Sequence, residues 1–287
     1  MGYFMKFPFH WAVDMDAIDE AVRGFSVRHA AFFDGIKISL RELVSAIQTM
    51  LNWVPWWLLI LLVVLAGWKI SGHKKTGLIY GAMMFFVGLI GYWEMMNITL
   101  AIVLASVMLS LLLGLPLGIL ISGSQKANAI ARPILDTMQT MPVFVYLIPA
   151  VMFFSLGNAP AVIATTIYAI VPVIRLTSHA IRQVDPEVVE AAKAFGSTKA
   201  QTLWKVQIPQ ALPTIMAGVN QTLMMAMSMV VTCSMIGARG LGNEVLIAVN
   251  RSEISRGLLS GTAVVIIAIL MDRLTQGWVK KDEVNPS

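Results

Sequence analysis

Apolar residues in this chain come in long blocks rather than in the alternation of a half-buried strand. Seven blocks approach the roughly 20 mostly apolar residues that a helix needs to cross a hydrocarbon core of ~30 Å. They cover residues 53–70, 77–93, 98–122, about 134–154, 161–177, 213–236 and 258–274. The fourth, ending DTMQTMPVFVYLIPAVMFF, carries polar residues and prolines. It has to sit inside a bundle, where neighbours satisfy the backbone groups that proline frees. Residues 1–52 follow a different pattern. Leu40, Val44, Ile47 and Leu51 share one helical face, and Arg41, Ser45 and Gln48 lie off it. The stripe runs into Trp53, Trp56 and Trp57, aromatics of the kind enriched at membrane interfaces. A helix lying along the membrane surface and a helix packed on the bundle both fit this pattern.

Composition agrees with a membrane class. The chain is 57% hydrophobic and 13% charged, against ~25% charged residues in soluble domains. The expected fold is an all-α integral membrane protein of about seven transmembrane helices, with an external N-terminal amphipathic helix and cytoplasmic coupling helices. Its parts are an external segment (1–52), two scaffold helices (53–93), a core of five helices (94–276) containing a polar segment at 182–212, and a cytoplasmic tail (277–287). The single Cys233 excludes an intrachain disulfide framework. His10, His29, His73 and His179 show no ligand spacing. The first residues contain no long apolar stretch, so no cleavable signal peptide is expected. Gly114 and Gly118 have the spacing of close helix packing. Asp136 and Asp272 fall near block ends, where interfacial placement is expected.

The net charge of +5 is spread over short connections, with no dense basic block for nucleic acid. Lys69, Lys74 and Lys75 fall after the first block, and Lys126 and Arg132 after the third. Arg175, Arg182, Lys193, Lys199 and Lys205 follow the fifth, and Lys280 and Lys281 the seventh. With seven crossings these lie on one side, and the connections near Glu94 and Gly157 carry no Lys or Arg. The positive-inside rule then places the N-terminus outside and the C-terminus in the cytoplasm. Arg239, Arg251 and Arg256 on the other side are partly offset by Glu244 and Glu253.

The polar segment has its own local code. Asp185 is an N-cap residue and Pro186 suits the first helical position. Glu187 and Glu190 favour the positive end of the helix dipole. Gly196 closes this helix as a C′ glycine does. Thr198 with Gln201 forms a capping box opening a second short helix, which stops before Pro209, and the chain re-enters the membrane at Pro213. Two short helices joined by glycine make a compact knob. It reads as a lever for a partner that supplies energy, or as an ordinary packed loop.

Glu190-Ala191-Ala192, three residues, Gly196, nine residues, then Val206-Gln207-Ile208-Pro209 resembles the EAA signature of ABC importer permeases, with Val206 and Ile208 as conservative replacements. GARGLG at 237–242 is also similar to these permeases. TMQTMPVFVYLIPA and VPVIRLT resemble the branch importing glycine betaine, proline betaine, choline or carnitine. The resemblance implies that Glu190, Ala191, Ala192, Gly196 and Pro209 belong to an ATPase-coupling segment. It also implies a second copy of the permease, two cytoplasmic ATPase subunits, an external substrate-binding protein and a bacterial inner-membrane location. ATP and Mg would be bound by the ATPase, with no catalytic residue, metal or cofactor on this chain. In keeping with that, the sequence contains no G-x4-G-K-[ST] phosphate loop. With the last block ending near residue 274, a fused binding-protein domain is not expected.

A quaternary ammonium substrate is recognised by aromatic faces. Asn220, Gln221, Met224 and Met225 on the sixth block, with Phe144 and Tyr146 on the fourth, are the candidate pathway residues. Methionines that merely fill packing gaps are the competing explanation. The competing function is an ion-coupled secondary transporter of small polar solutes. It calls for ionisable residues deep in the blocks and inverted repeats, and neither is visible.

Overall fold

The computed structural model describes the backbone of residues 15–284 and the side chains of residues 15–276. Residues 1–14, read above as lacking a signal peptide, and the side chains of Lys280 and Lys281 lie outside the described residues. The described chain is helical with no strand. Its elements are α1 (Met15–Arg28), α2 (Ala30–Trp53), α3 (Trp56–Ser71), α4 (Lys74–Leu89), α5 (Trp93–Ser122), α6 (Gln125–Thr140), α7 (Val143–Phe154), α8 (Asn158–Arg182), α9 (Pro186–Ala194), α10 (Lys199–Thr202), α11 (Ile208–Thr232), α12 (Leu241–Arg251) and α13 (Ile254–Val284). Seven crossings are expected from the sequence. Four helical runs are long and apolar enough to cross, or up to six if each of two bent helix pairs is one span. Helices α3 and α4 have 16 residues each, about 24 Å at ~1.5 Å per residue.

Helices α5 and α8 form the centre. Ser106 and Ser110 of α5 donate both to their own helix and to the carbonyls of Val162 and Thr166 of α8, at 3.5 and 3.2 Å. Further along, Gly114 lies against Ile170 and Val173, and Gly118 against Ile174 and Thr177. The two numbers rise together, so the helices run parallel. Small residues let the backbones approach, which is how helices associate where lipid removes the hydrophobic drive between them. Helix α11 runs antiparallel to α8: Gly218 sits on Pro172–Leu176, and Cys233 Sγ reaches Ala161 O at 3.8 Å. Helix α13 returns antiparallel to α11, with Asn220 meeting Asp272.

A parallel α5 and α8 must be joined by a segment that recrosses the bundle, and the fourth block does this as a broken helix. Helices α6 and α7 meet at 93° at Met141-Pro142, which corrects the single continuous span expected for 134–154. The residue before a proline is pushed out of the helical region, and Met141 has the extended ψ of 133°.

The amphipathic helix α2 lies across the bundle end formed by the starts of α5 and α8. Leu40 and Val44 are buried, and Ile47 and Leu51 pack on the same core. Asn52 accepts a hydrogen bond from Asn97 at 2.9 Å, and Lys37 donates to Ser155 at 3.2 Å. Of the two readings left open above, this helix is packed on the bundle. It meets α3 at 90°. The helical part of α13 continues to Val284, into the segment expected to be a tail. Helix α12, within a stretch expected only as a connection, is held by Glu244, which accepts from Arg256 at 2.7 and 2.9 Å.

Candidate coupling site and translocation face

The polar segment emerges at the bundle end where α8 finishes and α11 begins. Asp185 caps α9 by accepting the Glu187 N–H at 2.9 Å, with Pro186 in the first turn. The helix closes when Ser197 N donates to Ala192 O at 3.1 Å and Gly196 N to Lys193 O at 2.9 Å. This Schellman closure needs a left-handed residue, and Gly196 supplies it at φ +84°. A β-carbon at Gly196 would meet nothing within 4 Å, so backbone conformation, not crowding, selects glycine there. Thr198 accepts from Gln201 N at 3.3 Å while Gln201 Oε1 accepts from Thr198 N at 2.9 Å. All three caps read from the sequence are in place.

The expected stop before Pro209 is not. Residues Leu203–Gln207 form a π turn, and Lys199–Ile236 is one helical run of 38 residues. Ile208 N donates to Leu203 O, five residues back. Pro209 has no N–H to give, and the wider turn shifts the hydrogen-bond ladder by one residue just where a donor is missing. The second arm of the knob is thus continuous with a candidate membrane span.

The knob is keyed to the bundle by an apolar cluster. Ala180, Ile181 and Val184 of the α8 end and Ala211 and Ile215 of α11 form its centre. Val189 of α9, Leu203 and Ile208 pack on it, and Gln207 Nε2 donates to Ile181 O at 3.5 Å. Helix α9 itself buries no residue. Glu187, Val188, Glu190, Ala191 and Gly196 are exposed, Ala192 is half-buried and Pro209 is exposed. Phe195 is 93% exposed and Trp204 62%. These two aromatics are the functional candidates that sequence reading missed. Their only signal is their position: Phe195 precedes the glycine turn and Trp204 lies on the second arm.

Residues 110–280 match the family described as binding-protein-dependent transport system inner membrane component. The glycine betaine/carnitine transport permease protein GbuB of Listeria monocytogenes is 46% identical over 267 residues, spanning 92% of this chain and 94% of that protein. The glycine betaine transport system permease protein OpuAB of Bacillus subtilis is 45% identical over 261 residues, spanning 91% and 92%. The chain belongs to this family of inner-membrane permeases. The permease also shares its fold with a chain of the MetNI methionine ABC transporter in an inward-facing conformation. The TM-score is 0.60 at 23% identity, over 70% of this permease and 97% of that chain. As an ABC importer permease it is a multi-pass inner-membrane subunit without an ATPase site of its own. ATP and Mg belong to partner ATPase subunits, and a substrate-binding protein completes the system.

The six candidate pathway residues of the permease fall in different surroundings, some buried and some exposed. Tyr146 is buried, donates to Met138 O and lies edge-on to Tyr168 at 5.9 Å. Met225 packs on the main core. Asn220 is buried, and its Nδ2 donates to Asp272 Oδ1 at 2.9 Å, which Gln276 also approaches at 2.7 Å. Asp272 thus takes hydrogen bonds from two amides, and it lies near the end of the candidate span Ile254–Gln276. Asp136 pairs with Arg175. Gln221, Met224 and Phe144 are exposed. Thr214, Ala217, Gln221, Met224, Ser228 and Met235 are all exposed, at helical spacing along one face of the run that includes α11.

Proposed function

We propose that this permease is the translocation subunit of an importer for glycine betaine or a related quaternary ammonium osmoprotectant. The observation that carries the substrate is the similarity to permeases named for glycine betaine across more than nine-tenths of the chain. The working unit is two permease copies, two ATPase subunits and an external binding protein. The support for a second copy is the exposed α11 stripe. A glutamine and a serine on a lipid-facing surface are unfavourable, and a facing copy would enclose them as a pathway wall. Gln221 and Met224 line that wall with Asn220 and Met225 behind them on α11, and Phe144 and Tyr146 are contributed from α7. The knob faces the cytoplasm and the C-terminus is inside, supported by the cations near the knob and by the scarcity of Lys and Arg near Glu94 and Gly157. Glu190, Ala191, Ala192 and Gly196, with Pro209 holding the second arm, form the surface on which ATP-driven closure of the motor acts.

The test is reconstitution of the permease in vesicles with its ATPase and binding protein, measuring uptake of labelled glycine betaine against choline, carnitine and proline. Glu190→Trp and Gly196→Val should keep the permease folded and abolish ATP-dependent uptake. At Gly196 a β-branched residue at positive φ costs at least the ~1–2 kcal/mol of a left-handed residue. Full uptake in both variants would reject the coupling assignment. Uptake of none of the four solutes by the parent would reject the substrate assignment.

A further inference from the structure

At the bundle end opposite the candidate coupling segment, α2, α3, α4 and α5 line an open cavity of about 910 Å³. It opens beside the elbow between α2 and α3. Trp56, Phe85 and Trp93 line it, together with Asn52, Glu94 and Asn97. None of the candidate pathway residues does. Glu94 is the one charged side chain on the wall, and it has no salt-bridge partner among the described residues.

Asn97 is 2% exposed and gives its Nδ2 to Asn52 Oδ1 at 2.9 Å. Its own Oδ1 is buried with no donor among the described residues. A buried acceptor without a donor is costly, and each such group in a folded protein calls for an explanation. The cavity therefore combines an exposed carboxylate without a salt bridge and aromatic walls, with the buried Asn97, whose amide oxygen lacks a donor, set into its lining. Carboxylate and aromatic faces both attract a cation. The carboxylate also accepts N–H donors, of which a primary ammonium offers three and a quaternary ammonium none.

The surroundings identify the source. Leu61, Leu62 and Leu65 of α3 and Phe86 and Leu89 of α4 are exposed apolar side chains on the same hairpin. Leu89 also lines the cavity. Acyl chains can lie along this surface while a head group enters the cavity, with its phosphate left at the mouth, since the wall carries no Lys or Arg. We propose that the cavity binds the head group of an ethanolamine phospholipid. Glu94 accepts from its ammonium, and Trp56, Phe85 and Trp93 surround it. The bound lipid would tie the α3–α4 hairpin to the end of the bundle where the Asn52–Asn97 pair already joins α2 to α5.

The experiment is native mass spectrometry of the full-length permease in complex with its ATPase. The complex is delipidated and then offered phosphatidylethanolamine, phosphatidylcholine or phosphatidylglycerol with matched acyl chains, or free ethanolamine. Phosphatidylethanolamine should be retained over phosphatidylglycerol by about two- to fivefold, the scale of one partly exposed ion pair, with phosphatidylcholine between them. Glu94→Gln, which keeps shape and removes charge, should erase the preference over phosphatidylglycerol, and Glu94→Lys should favour phosphatidylglycerol. Equal retention of the three lipids, or an unchanged preference in Glu94→Gln, overturns the proposal. So does free ethanolamine binding as well as the lipid with the same dependence on Glu94, because the ligand would then be a solute amine.

Discussion

Placing alanine at Gly118 and at Gly261 makes the same chemical change with opposite expected sign. A β-carbon at Gly118 would lie 2.7 Å from Thr177 Cβ, 2.9 Å from Ile174 O and 3.0 Å from Thr177 Cγ2. Unstrained carbon contacts sit at about 3.5–4.0 Å. The obstacles belong to the α8 backbone and a β-branched residue, so no flexible tip can swing away. Helices α5 and α8 would have to part by about 0.5–1 Å, enough to forfeit a quarter to a half of each dispersion contact along the seam. Overpacking of this kind costs roughly 1–3 kcal/mol, and the gain in helix propensity returns at most about 1 kcal/mol. Gly118→Ala should therefore destabilise by about 1–2 kcal/mol. At Gly261 of α13 nothing lies within 4 Å of the added carbon. Gly261→Ala should keep the propensity gain, about 0.5–1 kcal/mol. Cys233 is the only cysteine and is fully buried. A thiol-reactive fluorophore therefore reports unfolding of the purified permease with no engineered probe. The expected order of midpoints is Gly261→Ala above parent above Gly118→Ala. A Gly118→Ala midpoint at or above the parent's would refute the tight α5–α8 seam, and so would shifts of the same sign in both variants.

Asp185→Ala removes the acceptor of the Glu187 N–H and should loosen α9 by about 1 kcal/mol, seen as roughly fivefold faster amide exchange confined to residues 187–190, while Asp185→Asn keeps the cap and the protection. Asn220→Leu leaves Asp272 with Gln276 as its remaining donor and should lower the unfolding midpoint by the equivalent of about 1–3 kcal/mol; a midpoint equal to the parent's would show that the pair contributes nothing. Arg256→Met strands the largely buried Glu244 carboxylate and should unfold earlier than the double variant Arg256→Met with Glu244→Leu, because a buried charge without its partner costs more than an apolar pair.

Much of the candidate coupling segment is legible in the sequence because its determinants are local. An N-cap, a capping box and a C′ glycine each act over two to five residues, and Asp185, Thr198–Gln201 and Gly196 do in space what their spacing states. The amphipathic stripe of α2 is legible for the same reason, since Leu40 and Val44 are a turn apart on one face. Proline is a poorer guide. Pro116, Pro149 and Pro172 lie inside unbroken helices, whereas Pro142 follows a sharp break and Pro209 is absorbed by a π turn. Whether a freed carbonyl finds another donor depends on what packs beside it. The partners of Asp272, Glu244 and Asn97 lie 52, 12 and 45 residues away, so no local pattern names them.

The sequence by itself therefore determined a helical membrane protein with a capped polar segment between two of its blocks, because block length and capping are read within one turn or one span, and its E-A-A-x3-G motif pointed to the permease family. Only the tertiary structure decided that α5 and α8 run parallel at glycine contact, that the fourth block breaks at a right angle between them, and that α2 closes over their ends. Those outcomes depend on surfaces of distant helices fitting together, and a one-dimensional pattern carries no record of which surfaces meet.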